Sequence, residues 1–146
     1  MKPWTLIIAT SLIIAAGATE VPAFEEAQYQ AVKSGQNGCL WCDLSGANLT
    51  GLNLTGADFT GADLTGANLT GVDLTNVDLT GADLTGAILT RAVLTGTKFT
   101  GADLDQVDLT GAVLKGASLE KANCDWATKF PEGSGFSCVG VTIERR

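Results

Sequence analysis

The chain has 146 residues, 16 acidic side chains against 9 basic ones, a formal charge of −7 and no histidine. This length fits one modest domain, and the negative balance argues against a nucleic-acid partner held through its phosphates. With no His and no nucleotide or metal motif, the common routes to acid–base and metal catalysis are missing from the outset.

Residues 1–23 read as a secretory signal, with Lys2 near the start, an apolar run from Leu6 to Ala18, and cleavage motifs at Ala16-Gly17-Ala18 and Val21-Pro22-Ala23. The run is shorter than the ~20 apolar residues of a membrane span and is interrupted by Thr10 and Ser11. Cleavage after Ala23 or Ala18 is expected, so the membrane is met only through this transient segment. Export to a periplasm or a thylakoid lumen follows. Cleavage after Ala23 removes one base, Lys2, and one acid, Glu20, so the mature chain keeps its charge.

Residues 24–41 form the next segment. Phe24, Ala27, Ala31 and Val32 share one helical face, Glu25 and Glu26 favour the positive end of a helix dipole, and Gly35 can end the helix.

From residue 42 to 126 one five-residue phrase, Ala-(Asp/Asn)-Leu-Thr-Gly, repeats without insertion. An apolar residue recurs every fifth position from Leu44 to Leu119, including Phe59 and Phe99, and Cys124 takes the next slot. Two positions before each lies a small or apolar residue such as Ala47, Ala57, Val72 or Val107. Fixed-period similarity of this kind marks a solenoid. A period of five makes no stripe on an α-helix and sends successive Leu residues to opposite faces of a flat strand. A corner once per repeat resolves the conflict. Gly takes the positive φ such a corner needs, and the Thr after each Leu suits an extended backbone.

Tandem Ala-(Asp/Asn)-Leu-x-x resembles the defining pattern of the pentapeptide repeat family. The resemblance implies an all-β fold: a right-handed quadrilateral β-helix of four repeats per turn, here about four coils. Asp43, Asp63, Asp83 and Asp103, at twenty-residue spacing, hint at the same number. In such a solenoid the helix at 24–41 becomes a short N-terminal cap. The segment 127–146 breaks the repeat and closes the other end, with Phe130, Phe136, Val139 and Val141 available to cover the last coil and Arg145 and Arg146 as a solvated terminus.

The solenoid sharpens the cysteines. Cys42 and Cys124 stand about four coils, or ~20 Å, apart, far beyond disulfide reach. The pairs that remain are Cys39 with Cys42 and Cys124 with Cys138, and the same separation excludes a four-Cys zinc site. Cys39-Leu40-Trp41-Cys42 has C-x-x-C spacing, but the βαβ scaffold of a thiol-redox centre is absent.

Three surface features remain. The acidic column Asp43, Asp63, Asp83 and Asp103 is either a Ca²⁺ site or a set of solvated carboxylates bonded to their own turns. The Thr columns, such as Thr50, Thr70, Thr90 and Thr110, follow from a β-favouring composition rather than from ice binding. At the outward slot before Leu, Ile88, Val93 and Val113 replace Asp or Asn, which makes them a candidate interface.

Charge is uneven: residues 24–85 hold eight acids against Lys33, whereas seven acids balance seven bases from Gly86 onward. Some relatives resemble duplex DNA and protect gyrase, an analogy the acidic half invites and the export signal opposes. The expectation is a non-enzymatic exported solenoid that binds or scaffolds an unidentified protein, with no catalytic, cofactor or metal residues. Monomer and dimer both remain open.

Overall fold

The computed structural model describes residues 23–139 and 142–145. All of the expected signal segment except Ala23 lies outside the described residues, as do Val141 and Arg146. A helix, α1 (Ala23–Lys33), is followed by the repeats and then by two strands, β1 (Phe136–Val139) and β2 (Thr142–Arg145), paired antiparallel with Phe136 opposite Arg145.

The repeats are joined by parallel bridges of single residues rather than by longer strands. Every bridge but one joins a residue to the one twenty positions on, so four pentads separate successive levels. The bridges form four ladders through the outward slot. The first runs Gly38, Asp58, Asp78, Lys98, Ser118, and the second runs Asp43, Asp63, Asp83, Asp103, Asn123. The third runs Asn48, Asn68, Ile88, Asp108, Lys129, and the fourth Asn53, Asp73, Val93, Val113. They begin before Cys42. Asn37 to Trp41 is thus a degenerate repeat, with Cys39 in the slot that Leu takes elsewhere.

Three backbone bonds tie each level to the next. Leu44 N–H donates to Asp63 O at 2.8 Å, Asp63 N–H to Cys42 O at 2.8 Å, and Gly46 N–H to Thr65 O at 2.7 Å. Within a level, Ala47 N–H donates to Leu44 O at 3.0 Å and closes a four-residue turn. The third residue of that turn needs positive φ, and Gly46 has φ of 66°. The backbone holds this corner even where the residue is not glycine. Trp41, Asn76, Arg91, Gln106 and Lys121 all occupy the glycine slot, with φ between 56° and 60°. Left-handed backbone costs an L-residue roughly 1–2 kcal/mol.

Inside, the Leu and Ala slots form one continuous apolar core from Val32 to Cys124, with Phe59 and Phe99 its largest members. Each fully buried Leu contributes about 1.5–3 kcal/mol. Thr97 sits in an Ala slot, fully buried, and its hydroxyl is satisfied by donating to Leu74 O at 2.8 Å. Outside, the Asp or Asn before each Leu accepts from the N–H two residues on, as in Thr65 N to Asp63 Oδ1 at 2.9 Å and Thr70 N to Asn68 Oδ1 at 3.1 Å. That bond explains the short polar residue at this slot: it holds the entry to the turn.

At the start of the ladders, α1 packs differently from the expected face. Val32 is buried, but Ala27 is exposed, and the side chains turned to the first level are polar. Asp43 N–H donates to Gln28 Oε1 at 2.8 Å, and Tyr29 OH donates to Asn48 O at 3.1 Å. These are the donor and acceptor that a preceding level would have satisfied. An open ladder end asks for polar partners before it asks for apolar cover. Gly35, with φ of 93°, ends the helix.

At the other end the register slips once. Asp108 bridges Lys129, twenty-one positions on, because Asp125 to Thr128 form an extra turn around one carboxylate oxygen. Asp125 Oδ1 accepts from Gln106 N at 2.9 Å, Ala127 N at 3.0 Å and Thr128 N at 3.1 Å. Phe130 and Phe136, with ring centroids 6.2 Å apart, pack against the core as expected of the tail. The β1–β2 hairpin was not foreseen.

The corners make a direct test. A Cβ added at Gly66 would meet nothing within 4 Å, so Gly66→Ala isolates backbone strain and is expected to destabilise by about 1 kcal/mol. A Cβ at Gly61 would overlap the Trp41 indole, so Gly61→Ala is expected to cost more. Urea unfolding of both variants measures the difference, and equal losses would show that the indole is not seated there.

Candidate interaction surface

The four cysteines fall into two pairs at disulfide distance: Cα–Cα is 5.7 Å for Cys39–Cys42 and 5.9 Å for Cys124–Cys138. Cys42 and Cys124 are buried, one near each end of the core. A cavity of about 330 Å³ near the first pair is lined by Glu26, Tyr29 and residues 43–48, and by neither cysteine. The pair's neighbours Leu40 and Trp41 are exposed, and the Trp41 ring lies over Gly61.

Asp43, Asp63, Asp83 and Asp103 occupy successive levels of the second ladder. Each binds its own turn: Ser45 N–H donates to Asp43 Oδ1 at 3.0 Å, and Thr85 N–H to Asp83 Oδ1 at 2.9 Å. Among the described residues no group of three or more His, Cys, Asp or Glu is arranged to hold a metal ion. The Thr column comes together in part, with Thr90 Oγ1 3.2 Å from Thr70 Oγ1.

The carboxylates differ in their environment. Thr75 holds Asp73 below the usual carboxylate range through its hydroxyl and its N–H. Thr80 does the same for Asp78, helped by Lys98 at 3.0 Å, and Thr110 for Asp108, helped by Lys129 at 3.2 Å. The Gln106 N–H leads the donors that hold Asp125 down. Asp105 moves the other way, raised by partial burial and then by repulsion from Asp103, Asp125 and Asp83. It occupies a slot that carries Thr in most repeats.

Val93 and Val113 are bridge partners at adjacent levels of the fourth ladder, above Asn53 and Asp73. Val113 is 47% exposed and Ile88, on the third ladder, 40%, while Val93 is half-buried. Between them lies Arg91, exposed on the corner with φ of 58° and its stem running over Gly111, 3.4 Å from the point where a Cβ would be. No salt bridge engages Arg91 among the described residues. Arg91 was not singled out from the sequence. The signal was there: it replaces Gly at a corner.

A model of pentapeptide repeats matches residues 42–81, 78–116 and 98–128, more than half of the chain. The chain is a pentapeptide repeat protein. Membership implies a right-handed β-helical solenoid, in agreement with the ladders. Similar solved structures include a pentapeptide repeat protein from the Arabidopsis thaliana thylakoid lumen, 33% identical over 57% of this chain and 64% of that one, TM-score 0.42. HetL from Nostoc sp. strain PCC 7120, involved in heterocyst differentiation regulation, is 31% identical over 66% of this chain and 48% of its own, TM-score 0.34. A third pentapeptide repeat protein from Nostoc PCC 7120 is 35% identical over 74% of this chain and 85% of its own, TM-score 0.26. The chain thus spans less than two thirds of the first two. No curated protein matches it.

The opposite pKa shifts give opposite pH behaviour. The lowered Asp125 stabilises the fold above its unfolded pKa of about 3.9, and that contribution is lost as pH falls through the folded value. The raised Asp105 destabilises at neutral pH and ceases to do so in acid. Asp125→Ala is therefore expected to lower the thermal midpoint at pH 7, and Asp105→Thr to raise it. Both differences shrink at pH 3, and an Asp105→Thr gain that persists there would exclude charge as its cause.

Proposed function

We propose that this pentapeptide repeat protein is a non-enzymatic, exported binding or scaffolding protein: a four-sided coil capped by α1 and stapled at each end by a disulfide. The twenty-residue register supports four sides, and the Gln28 and Tyr29 bonds support the cap. The apolar run at residues 6–18 and the two close cysteine pairs favour an oxidising compartment such as a periplasm or thylakoid lumen. Among the described residues no helix is long and apolar enough to cross a membrane.

The observation that carries the binding reading is the surface formed by Ile88, Arg91, Val93 and Val113. Two ladders that are polar below become apolar at adjacent levels, and at the corner between them stands a guanidinium with no ion pair among the described residues. Arg in a left-handed corner costs stability that Gly would not, and no ion pair among the described residues offsets that cost. Such an arrangement suits a protein partner with an apolar centre and a carboxylate, because Arg is among the side chains that dominate interfaces.

Pull-down of the tagged protein from its native compartment tests this. Arg91→Ala is expected to weaken partner capture by about 2 kcal/mol, a 30-fold effect. Val113→Asp is expected to abolish capture while leaving the unfolding midpoint within about 0.5 kcal/mol of the parent. Retention of the same partners by both variants would remove the surface from consideration.

The staples are tested separately. The denatured, unreduced protein is expected to take up no iodoacetamide. Cys138→Ser, which opens the loop between residues 124 and 138, is expected to cost about 2–3 kcal/mol in urea unfolding.

A further inference from the structure

The two ends of the solenoid are finished unequally. At the start, the groups left without a lower level are met by side chains of α1 at Asp43 N and Asn48 O. At the far end a level presents the complementary set, namely the Leu-slot N–H, the glycine-slot N–H and the Ala-slot C=O. On the third ladder Leu109 N–H reaches Lys129 O at 2.8 Å, and Lys129 N–H reaches Val107 O at 2.9 Å. The second and first ladders likewise carry a fifth rung, at Asn123 and Ser118. The fourth stops one rung short: nothing described bridges Val113 from above.

The cause is local. After Lys129 the chain should enter the fourth side, but Ser134 N–H, the donor due to Ala112 O by register, turns back onto Pro131 O at 3.2 Å. Pro131 to Gly135 therefore arch away and leave a notch of about 550 Å³, lined by Ala112, Leu114, Lys115 and Gly116 below and by the arch and Phe136 beside. Among the described residues, Leu114 N–H and Gly116 N–H have no acceptor, although Leu94 N–H and Gly96 N–H directly below donate at 2.9 Å to Val113 O and Lys115 O. The floor is open too. Ala112 and Leu114 are 7% and 8% exposed, whereas Ala92 and Leu94 are fully buried.

We infer that this notch takes an extended segment of a partner protein, which pairs with the backbone and supplies the missing fifth rung. The ladder itself dictates the occupant. Its backbone must accept twice, from Leu114 and Gly116, and donate once to Ala112 O, with a small residue and, two positions on, an aliphatic one turned inward. This is the recognition mode of strand addition, in which the main chain supplies affinity and alternate side chains supply specificity. Lys115 and Glu132 both line the notch, so charge is balanced and the small-x-aliphatic spacing sets selectivity. The inference rests on the reading of the protein as a binding scaffold and adds a site continuous with Val113, but its contacts are backbone groups.

The probe is a capped peptide, acetyl-Gly-Ala-Asp-Leu-Thr-Gly-amide, the chain's own residues 61–66. The control is the same peptide N-methylated at Asp, which removes the donor to Ala112 O. In the full chain labelled with ¹⁵N, the Leu114 and Gly116 amides are expected to exchange more than about tenfold faster than those of Leu94 and Gly96. At millimolar peptide they are expected to shift and slow, and the methylated control to leave them unchanged. Protection of both amides in the free protein would mean that the tail fills the notch, which overturns the inference. Protection that grows with protein concentration, with dimer seen by light scattering, would assign the notch to a second copy and overturn it equally. Open amides that ignore the peptide would do the same. Because Val93→Asp alters the neighbouring surface but none of these amides, loss of partner capture in that variant with normal peptide shifts separates failure of one site from failure of the other.

Discussion

Every level of this molecule hangs from the next by the same three backbone bonds, and that ladder constrains everything else. Because it returns each residue to register after twenty positions, a side chain's role depends on its slot within the pentad and its ladder, hardly at all on sequence neighbours. Leu and Ala slots are removed from water on every side. The slot before Leu must face out and hold its own turn, so it is Asp or Asn in most repeats. The glycine slot must adopt positive φ whoever occupies it, as Arg91 and Trp41 show. Local preference and global fold agree at nearly every position, which is the condition for a single deep energy minimum.

A ladder also creates the molecule's main liability, since it satisfies backbone groups only between levels. The two ends must be finished by something other than the repeat, and the solutions differ in kind. Gln28 and Tyr29 imitate a lower level with side chains; Asp125 imitates an upper one with a single carboxylate oxygen that gathers donors from two levels. An amphipathic helix alone would have covered the apolar core and left those groups bare, at a cost of about 1–3 kcal/mol each when buried. This is why Ala27 faces out, while the inward positions are given to residues that hydrogen-bond.

Legibility in the sequence follows the same division. The Leu and Ala slots and the corner glycines could be read before any coordinates, because a period of five calls for a corner in every repeat, and both close cysteine pairs followed from the coil count that the family resemblance implies. The stacking of Val93 on Val113 followed as soon as four pentads per level were assumed. What could not be read answers to the ladder's ends and not to its period. Nothing in hydrophobic patterning marks Gln28 as a backbone acceptor, and the one-residue slip at Asp125 to Thr128 leaves no trace except the loss of the phrase. The β1–β2 hairpin had a weak signal, two β-favouring quartets around Gly140, hidden by the expectation of a simple cover. Arg91 is hidden for the opposite reason: the sequence shows only a departure from glycine in one repeat, and its positive φ shows the cost.

That cost bears on where function lies. A residue other than glycine at such a corner costs stability, at Trp41, Asn76, Gln106 and Lys121 as at Arg91, so the cost gains meaning only from what the side chain does there. Lys98 and Lys129 have a role inside the fold, as partners of Asp78 and Asp108. Arg91 has no such ion pair among the described residues, and it stands where two polar ladders turn apolar. The regular repeat can give shape, rigidity and a predictable backbone edge to any protein of this kind. Individual character must come from positions where the ladder's own requirements are breached, among them Arg91 on the side and the arch from Pro131 to Gly135 on the end, where the chain forgoes a favourable backbone conformation or a rung that the repeat would have supplied.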